Sequence, residues 1–212
     1  MQTILSNGLK QLDIDTSLEQ QASLINFTNL LLKWNKVYNL TAVRELNDMV
    51  RLHLLDSLSL LPFIVGSKRI IDVGSGGGLP GIPLAIFNPN VEFVLLDSNI
   101  KKTRFIKQAC IELALTNVEV VHSRVEKYKP DQLFDCLMTR AFSTISQTLT
   151  LVDHLLADHA KLLFMKSNTA EQELNEVSDS LKKEIVALKV PGIDAPRTLA
   201  ILTKLSVGDP HV

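Results

Sequence analysis

Residues 70–85 read IIDVGSGGGLPGIPLA, and the architecture is worked out from them. Ile70-Ile71-Asp72-Val73 is a short, almost wholly apolar run, as a strand covered on both faces requires. Glycines then occupy positions 74, 76, 77, 78 and 81. Glycine permits positive φ and lets a ligand approach the backbone closely. A bare turn would not justify the chain entropy that so many glycines lose on folding. Ile82 to Phe87 reads as a short helix that starts at the same crevice. Such a strand–turn–helix unit places a ligand at the carboxyl ends of a parallel sheet.

The alternation continues toward the C-terminus. Val91–Leu96, Val118–Val121, Asp135–Thr139 and Lys161–Met165 are apolar strand candidates. Helical patterns cover Lys101–Leu115, Ile145–Leu156 and Glu171–Leu181. Right-handed crossovers between such strands imply a doubly wound α/β fold. The last two runs, Ile185–Val190 and Leu199–Leu205, are separated only by PGIDAPRT and are expected to pair as an antiparallel hairpin at one edge. A plain dinucleotide-binding half lacks that tail. The seven-stranded sheet of S-adenosylmethionine-dependent methyltransferases has it.

Toward the N-terminus the period changes. Ser17 and Gln20 form a capping-box pair ahead of a helix to Tyr38, with Leu24, Phe27, Leu31, Trp34 and Tyr38 at steps of three and four. A second helix is expected from about Leu46 to Leu61, with Pro62 as its stop. The chain therefore divides into a helical extension over 1–66, packed on the core, and a Rossmann-like domain over 67–212.

Composition narrows the classes. The chain has 212 residues, 46% hydrophobic and 21% charged, with 22 basic against 23 acidic side chains. A net charge of −1 gives no bulk attraction for nucleic acid, though a local basic face remains open. Cys110 and Cys136 form no CxxC pair, so a disulfide framework or a cysteine-rich metal site is not expected, and both read as small buried hydrophobes. No apolar run reaches the ~20 residues of a membrane span. The N-terminus lacks signal-peptide features, so a cytoplasmic monomer without metal is the expectation.

Acids and bases at the strand ends supply the candidate site. Asp72 ends the first strand, where it could receive an amino group. Asp97 ends the second, where a carboxylate can accept both hydroxyls of a ribose. Val125 and Glu126 follow the third and would meet an adenine edge, whereas His122 reads as structural or solvent-facing. Arg140 and Lys166 follow the next two, and two cations over one crevice would suit a polyanionic substrate. Gly76, Gly78 and Gly81 also fit G-x-G-x-x-G, so a nicotinamide dehydrogenase is an alternative. Asp72 is a poor neighbour for its pyrophosphate, and no hydride-transfer pair is visible.

The segments KWNKVYNLTAVR (33–44), RLHLLDSLSLLP (51–62), DVGSGGGLPGIPLA (72–85), LLDSNIKKTRFI (95–106), NVEVVHSRVE (117–126) and TRAF (139–142) together resemble the glucose-inhibited division protein B family. The resemblance covers nearly the whole chain. It implies a class I methyltransferase that moves a methyl group from S-adenosyl-L-methionine to N7 of a guanine, position 527, in the 530 loop of 16S rRNA. It implies a cofactor site at Gly74, Leu79, Asp97, Val125, Glu126 and Arg140, to which the residue reading adds Asp72, Gly76 and Gly78. It places Arg44, Arg51, His53, Asp56, Arg140, Lys166 and Arg197 on a lip that meets RNA, with Lys33 and Lys36 as further candidates from the helix pattern. The family often has Ser before this arginine and Gly after this lysine; here Thr139 and Ser167 stand there.

Missing motifs bear on mechanism. There is no [DN]-P-P-[YF] after the fourth strand and no Pro-Cys pair. Those devices serve exocyclic amines and pyrimidine C5 respectively. Guanine N7 needs neither, because its in-plane lone pair can attack a sulfonium methyl without first losing a proton. Arg140, with Lys166, is then expected to position the reactants, and no obligatory general base is expected.

Overall fold

The computed structural model describes residues 1–204. Seven strands form one sheet: β1 (Arg69–Val73), β2 (Glu92–Asp97), β3 (Val118–His122), β4 (Phe134–Arg140), β5 (Leu156–Lys166), β6 (Leu181–Ala187) and β7 (Thr198–Lys204). Their order is β3-β2-β1-β4-β5-β7-β6. The first five run parallel, and β7 is antiparallel to both β5 and β6. The expected closing hairpin is present, with β7 inserted between β5 and the edge strand β6. The strand order reverses between β1 and β4, so a crevice opens at their carboxyl ends.

Alternating side chains divide the core. Ile70, Phe93, Leu95, Cys136, Met138, Leu163 and Leu199 face one side, and Ile71, Val73, Val94, Leu96, Leu137, Leu162 and Phe164 face the other. The first side is covered by α1 (Gln2–Gln11), α2 (Leu18–Tyr38), α3 (Leu46–Met49), α4 (Asp56–Leu58), α5 (Gly81–Phe87) and α6 (Ile100–Glu112). The second is covered by α7 (Ile145–Val152) and α8 (Ala170–Asn175). Residues 1–66 thus contribute Leu5, Leu24, Phe27, Leu31, Leu54 and Leu58 to the same apolar cluster as one face of the sheet.

The capping box forms as expected: Ser17 Oγ accepts the Gln20 N–H at 3.1 Å, and Gln20 Oε1 accepts the Ser17 N–H at 2.9 Å. Several bounds differ from the periodicity. Helix α1 had no assignment, because its apolar residues fall among polar ones and only Leu5 and Leu9 are buried among its side chains, with Gly8 between them. Helix α8 ends at Asn175 and β6 begins at Leu181, where a longer helix and a later strand were expected. The polar segment Lys182–Ala187 alternates only weakly because β6 is an edge. The expected strand end at Leu205 lies outside the described residues. The second N-terminal helix is interrupted by a π-helical turn over Val50–Leu55.

Candidate active site

Two cavities meet at the carboxyl end of the sheet. The smaller, about 180 Å³, lies over the glycine loop and is lined by Gly74, Ser75, Gly76, Gly77, Leu79 and Lys102, with Leu40, Thr41, Arg140 and Ala141. The larger, about 510 Å³, is lined chiefly by His53, Asp56, Arg140, Lys166, Glu173 and Arg197. Arg140 and Ala141 line both. The smaller cavity alone is below the ~300 Å³ at which small-molecule sites usually begin, so a nucleoside-sized ligand would extend beyond it.

Asp97 holds the loop open. Its Oδ2 accepts the Gly76 N–H at 2.9 Å and its Oδ1 accepts the Asn99 N–H at 2.8 Å. A carboxylate offers about four acceptor positions, so both oxygens keep capacity for ligand hydroxyls. Lys102 Nζ stands 3.8 Å from Oδ2. A Cβ at Gly76 would meet nothing nearer than 3.8 Å, so the backbone there faces open space. This cradle and its acid fit a ligand with a sugar and a charged amino-acid end.

Other predicted cofactor residues stand elsewhere. Gly78 does not line the cavity: at φ +76°, a Cβ there would come within 2.8 Å of Ile82, so this glycine serves packing against α5. Asp72 is fully buried, and its Oδ2 accepts the Gly81 N–H at 2.9 Å. It braces the loop from behind and does not face the crevice. Burial raises its pKa to about 7, against the lowering effects of the Gly81 N–H and Arg140, while Asp97 adds to the rise. The other oxygen, Oδ1, has no hydrogen-bond partner. Val125 is buried and Glu126 exposed on a short 3₁₀ turn after β3, and neither lines these two cavities. His122 is exposed, as expected, with Nε2 3.1 Å from the Ser98 carbonyl.

The cationic lip is tied up more than its sequence suggests. Arg140 Nη1 donates to Asp56 Oδ2 and to the Leu52 carbonyl, both at 3.1 Å. Arg197 Nε donates to Asp56 Oδ1 at 3.2 Å. The Leu52 carbonyl that accepts from Arg140 lies within the π-helical turn. His53 Nδ1 also lies 2.9 Å from that carbonyl, and Nε2 lies 2.8 Å from Thr41 Oγ1. A carbonyl needs a donor, so the proton sits on Nδ1 and Nε2 accepts from the threonine. Burial, then the charge of Arg140, lowers the His53 pKa to about 4, with the Leu52 contact opposing. The expectation of His53 as an RNA contact is corrected: the ring is buried and neutral.

Lys166 also departs from expectation. Its Nζ pairs with Glu173 Oε2 at 2.8 Å and donates to the Ser143 carbonyl at 2.7 Å. It is a strut under the β4–α7 loop, and the idea of a second free cation is withdrawn. Arg51 pairs with Asp48 at 3.4 Å, and Arg44 bonds Asn39 Oδ1 at 3.0 Å. Lys33 and Lys36 are exposed and form no ion pair among the described residues. Both cysteines are buried, and burial pushes Cys110 up to about 11 and Cys136 to about 12. Among the described residues no cluster is placed to hold a metal ion, and no helix is long and apolar enough to cross a membrane.

A family described as rRNA small subunit methyltransferase G matches residues 20–200, spanning both the helical extension and the sheet. The chain belongs to that family. Ribosomal RNA small subunit methyltransferase G of Laribacter hongkongensis is 48% identical over 199 residues, covering 93% of this chain and 96% of that protein. The protein of the same name from Chromobacterium violaceum is 46% identical, over 92% and 94% respectively. Among solved structures, a putative O-methyltransferase from Klebsiella pneumoniae superposes with a TM-score of 0.64 at 12% identity, covering 96% of this chain and 97% of its own. The N-methyltransferase NodS of Bradyrhizobium japonicum, in complex with S-adenosyl-L-homocysteine, gives 0.58 at 16% identity, over 85% and 100%. These likenesses show the class I methyltransferase fold of the family member described here.

Proposed function

We propose that this protein transfers the methyl group of S-adenosyl-L-methionine to N7 of a guanine in the 530 loop of 16S rRNA, position 527, acting as a cytoplasmic monomer. The observation that carries the reading is the pairing of the glycine cradle and Asp97 with family membership across both parts of the chain. The same observation disfavours a nicotinamide dehydrogenase.

The residues divide the work by position. Gly74, Gly76 and Leu79 line the pocket for the amino-acid end of the donor, and Asp97 takes its ribose hydroxyls. Val125 and Glu126 are assigned to the adenine edge. The donor supplies a sulfonium-activated methyl group. Arg140, held by Asp56, stands where the two cavities join and orients the reactants there. Guanine N7 attacks through an in-plane lone pair, so the protein needs to supply proximity, alignment and exclusion of water, not a base. Lys33 and Lys36, exposed on α2, are assigned to phosphates of the RNA, and Arg44, Arg51 and Arg197 to the rim.

The test is incubation of undermethylated small ribosomal subunits with the protein and labelled S-adenosyl-L-methionine. Label in 16S rRNA supports the reading. Label confined to free nucleosides, small molecules or another RNA replaces it with a methyltransferase of different acceptor.

A further inference from the structure

Phe142 stands two residues beyond Arg140, on the loop between β4 and α7, and 36% of it is exposed. One side of its ring rests on the glycine loop: a Cβ added at Gly74 would lie 2.6 Å from Phe142 Cδ2. Among the described residues the ring has no aromatic or cationic partner. Ala141, which leads into it, has φ +55°, a left-handed conformation that a residue with a Cβ adopts only when its surroundings enforce it. The enforcement comes from behind the loop. Lys166 ties down the Ser143 carbonyl at 2.7 Å, and Glu173 Oε2 accepts the Ile145 N–H at 2.8 Å. Strain, a half-buried strut and an exposed aromatic ring coincide beside Ala141, which lines both cavities.

A base removed from its stack needs a replacement surface, and an aromatic ring provides one. Stacking engages the face of a purine and leaves its edge free. Guanine N7 reacts along that edge, so a platform can hold the base without occupying the reacting lone pair. A hydrogen-bond donor aimed at N7 would instead quench it.

We infer that Phe142 is the stacking platform for the acceptor guanine, held in place by the Lys166–Glu173 strut; the inference rests on the RNA-methylation reading above. The ring lies against Gly74, so a base stacked on its open side stands beside the loop assigned to the methyl donor. Lys166 is accordingly a positioning residue that acts through the loop.

Four substitutions test this: Phe142→Ala, Phe142→Leu, Phe142→Tyr and Phe142→Trp. Each is assayed for methylation of undermethylated small subunits with RNA varied, and for S-adenosyl-L-methionine affinity by calorimetry. Loss of one base-stacking contact predicts a fall of about 10–100-fold in kcat/KM for the RNA in the alanine and leucine variants. The tyrosine and tryptophan variants retain most activity, and donor affinity stays as in the parent protein. Leucine preserves the apolar bulk over Gly74 and carries the comparison with tyrosine if the alanine variant does not fold. A leucine variant as active as the parent overturns the inference. So does a matching loss of donor affinity, which would assign the ring to the donor site. A parent protein that leaves small subunits unmethylated contradicts the RNA reading itself, and the inference falls with it.

Discussion

Arg140 Nη1, at the carboxyl end of β4, lies 3.1 Å from Oδ2 of Asp56, at the start of α4. This contact links the helical extension to the sheet at the mouth of the crevice. Asp56 is 3% exposed and also holds Arg197 at 3.2 Å, so one carboxylate compensates two guanidinium groups.

Replacing Asp56 with Ala leaves both arginines without that partner. Breaking a buried pair costs about 3–5 kcal/mol, and the partial exposure of both arginines argues for the lower end. For a chain of this size that lowers Tm by roughly 6–12 °C. Thermal unfolding followed by circular dichroism checks it. A shift of under a degree would show that the carboxylate is dispensable to the fold.

Asp97→Ala removes the acceptor for the ribose hydroxyls. Hydrogen bonds to a charged group contribute about 1.5–3 kcal/mol, so donor affinity should fall on the order of 10–100-fold. Calorimetric titration with S-adenosyl-L-methionine measures it. Unchanged affinity would remove Asp97 from the site.

Two buried groups give opposed pH dependences. The Asp72 carboxyl is raised to about 7 by burial, so the folded state holds a proton that the unfolded state has released; this group makes stability fall as pH rises from about 4 to 7. His53 is lowered to about 4, so the unfolded state takes up a proton first; this group makes stability rise with pH from about 4 to 6.5. Each slope is at most about 1.4 kcal/mol per pH unit, and the two largely cancel. Relative to the parent, Asp72→Asn should gain stability as pH rises through this window, and His53→Gln should lose it. Urea unfolding at several pH values separates them. Parallel profiles for all three proteins would contradict the assignment.

Lysines on the two sides of the molecule should behave differently. Lys33 and Lys36 are exposed and unpaired among the described residues, so replacing both with Gln should reduce the salt dependence of RNA binding by up to about one unit of slope per phosphate contact. Lys166 is already paired with Glu173, so Lys166→Met should depress methylation while leaving that slope unchanged. Burial pushes the Glu173 carboxyl up, but the bonds from Lys166, the Ile145 N–H and Thr169 hold it below its ordinary value. Binding measured at several salt concentrations distinguishes the two lysine groups.

Gly8 of α1 packs against the π-helical turn, and a Cβ there would overlap Leu55. Overpacking costs about 1–3 kcal/mol, whereas Gly→Ala in a helix gains up to about 1 kcal/mol. The steric term is the larger, so Gly8→Ala should destabilise by about 1 kcal/mol. A stabilised variant would show that α1 can shift without loss.

The sheet was legible because buried parallel strands are nearly continuous apolar runs, as in Ile70–Val73 and Val94–Leu96. The place of Asp97 beside the glycine loop was legible because it ends the strand next to the one that leads into that loop. What stayed hidden were partners distant in sequence. Nothing near Lys166 announces Glu173 or Ser143, and nothing near Arg140 announces Asp56. His53 resembles a surface residue until Thr41 and the Leu52 carbonyl close around it. The π-helical turn leaves no periodic signal of its own, because one extra residue inside a helix shifts the apolar face without breaking it. Phe142 could have been noted as an aromatic beside the catalytic lip, but only the fold sets its ring on Gly74.

The identity of the methylated atom tests the account most directly. After reaction with undermethylated small subunits, the 16S rRNA is reduced with borohydride and cleaved with aniline, a sequence that breaks the strand at N7-methylguanosine. The account predicts one new scission, at a guanine in the 530 loop, dependent on S-adenosyl-L-methionine and lost in Asp97→Ala. Methyl incorporation without scission there would place the group on another atom or another nucleotide and contradict it.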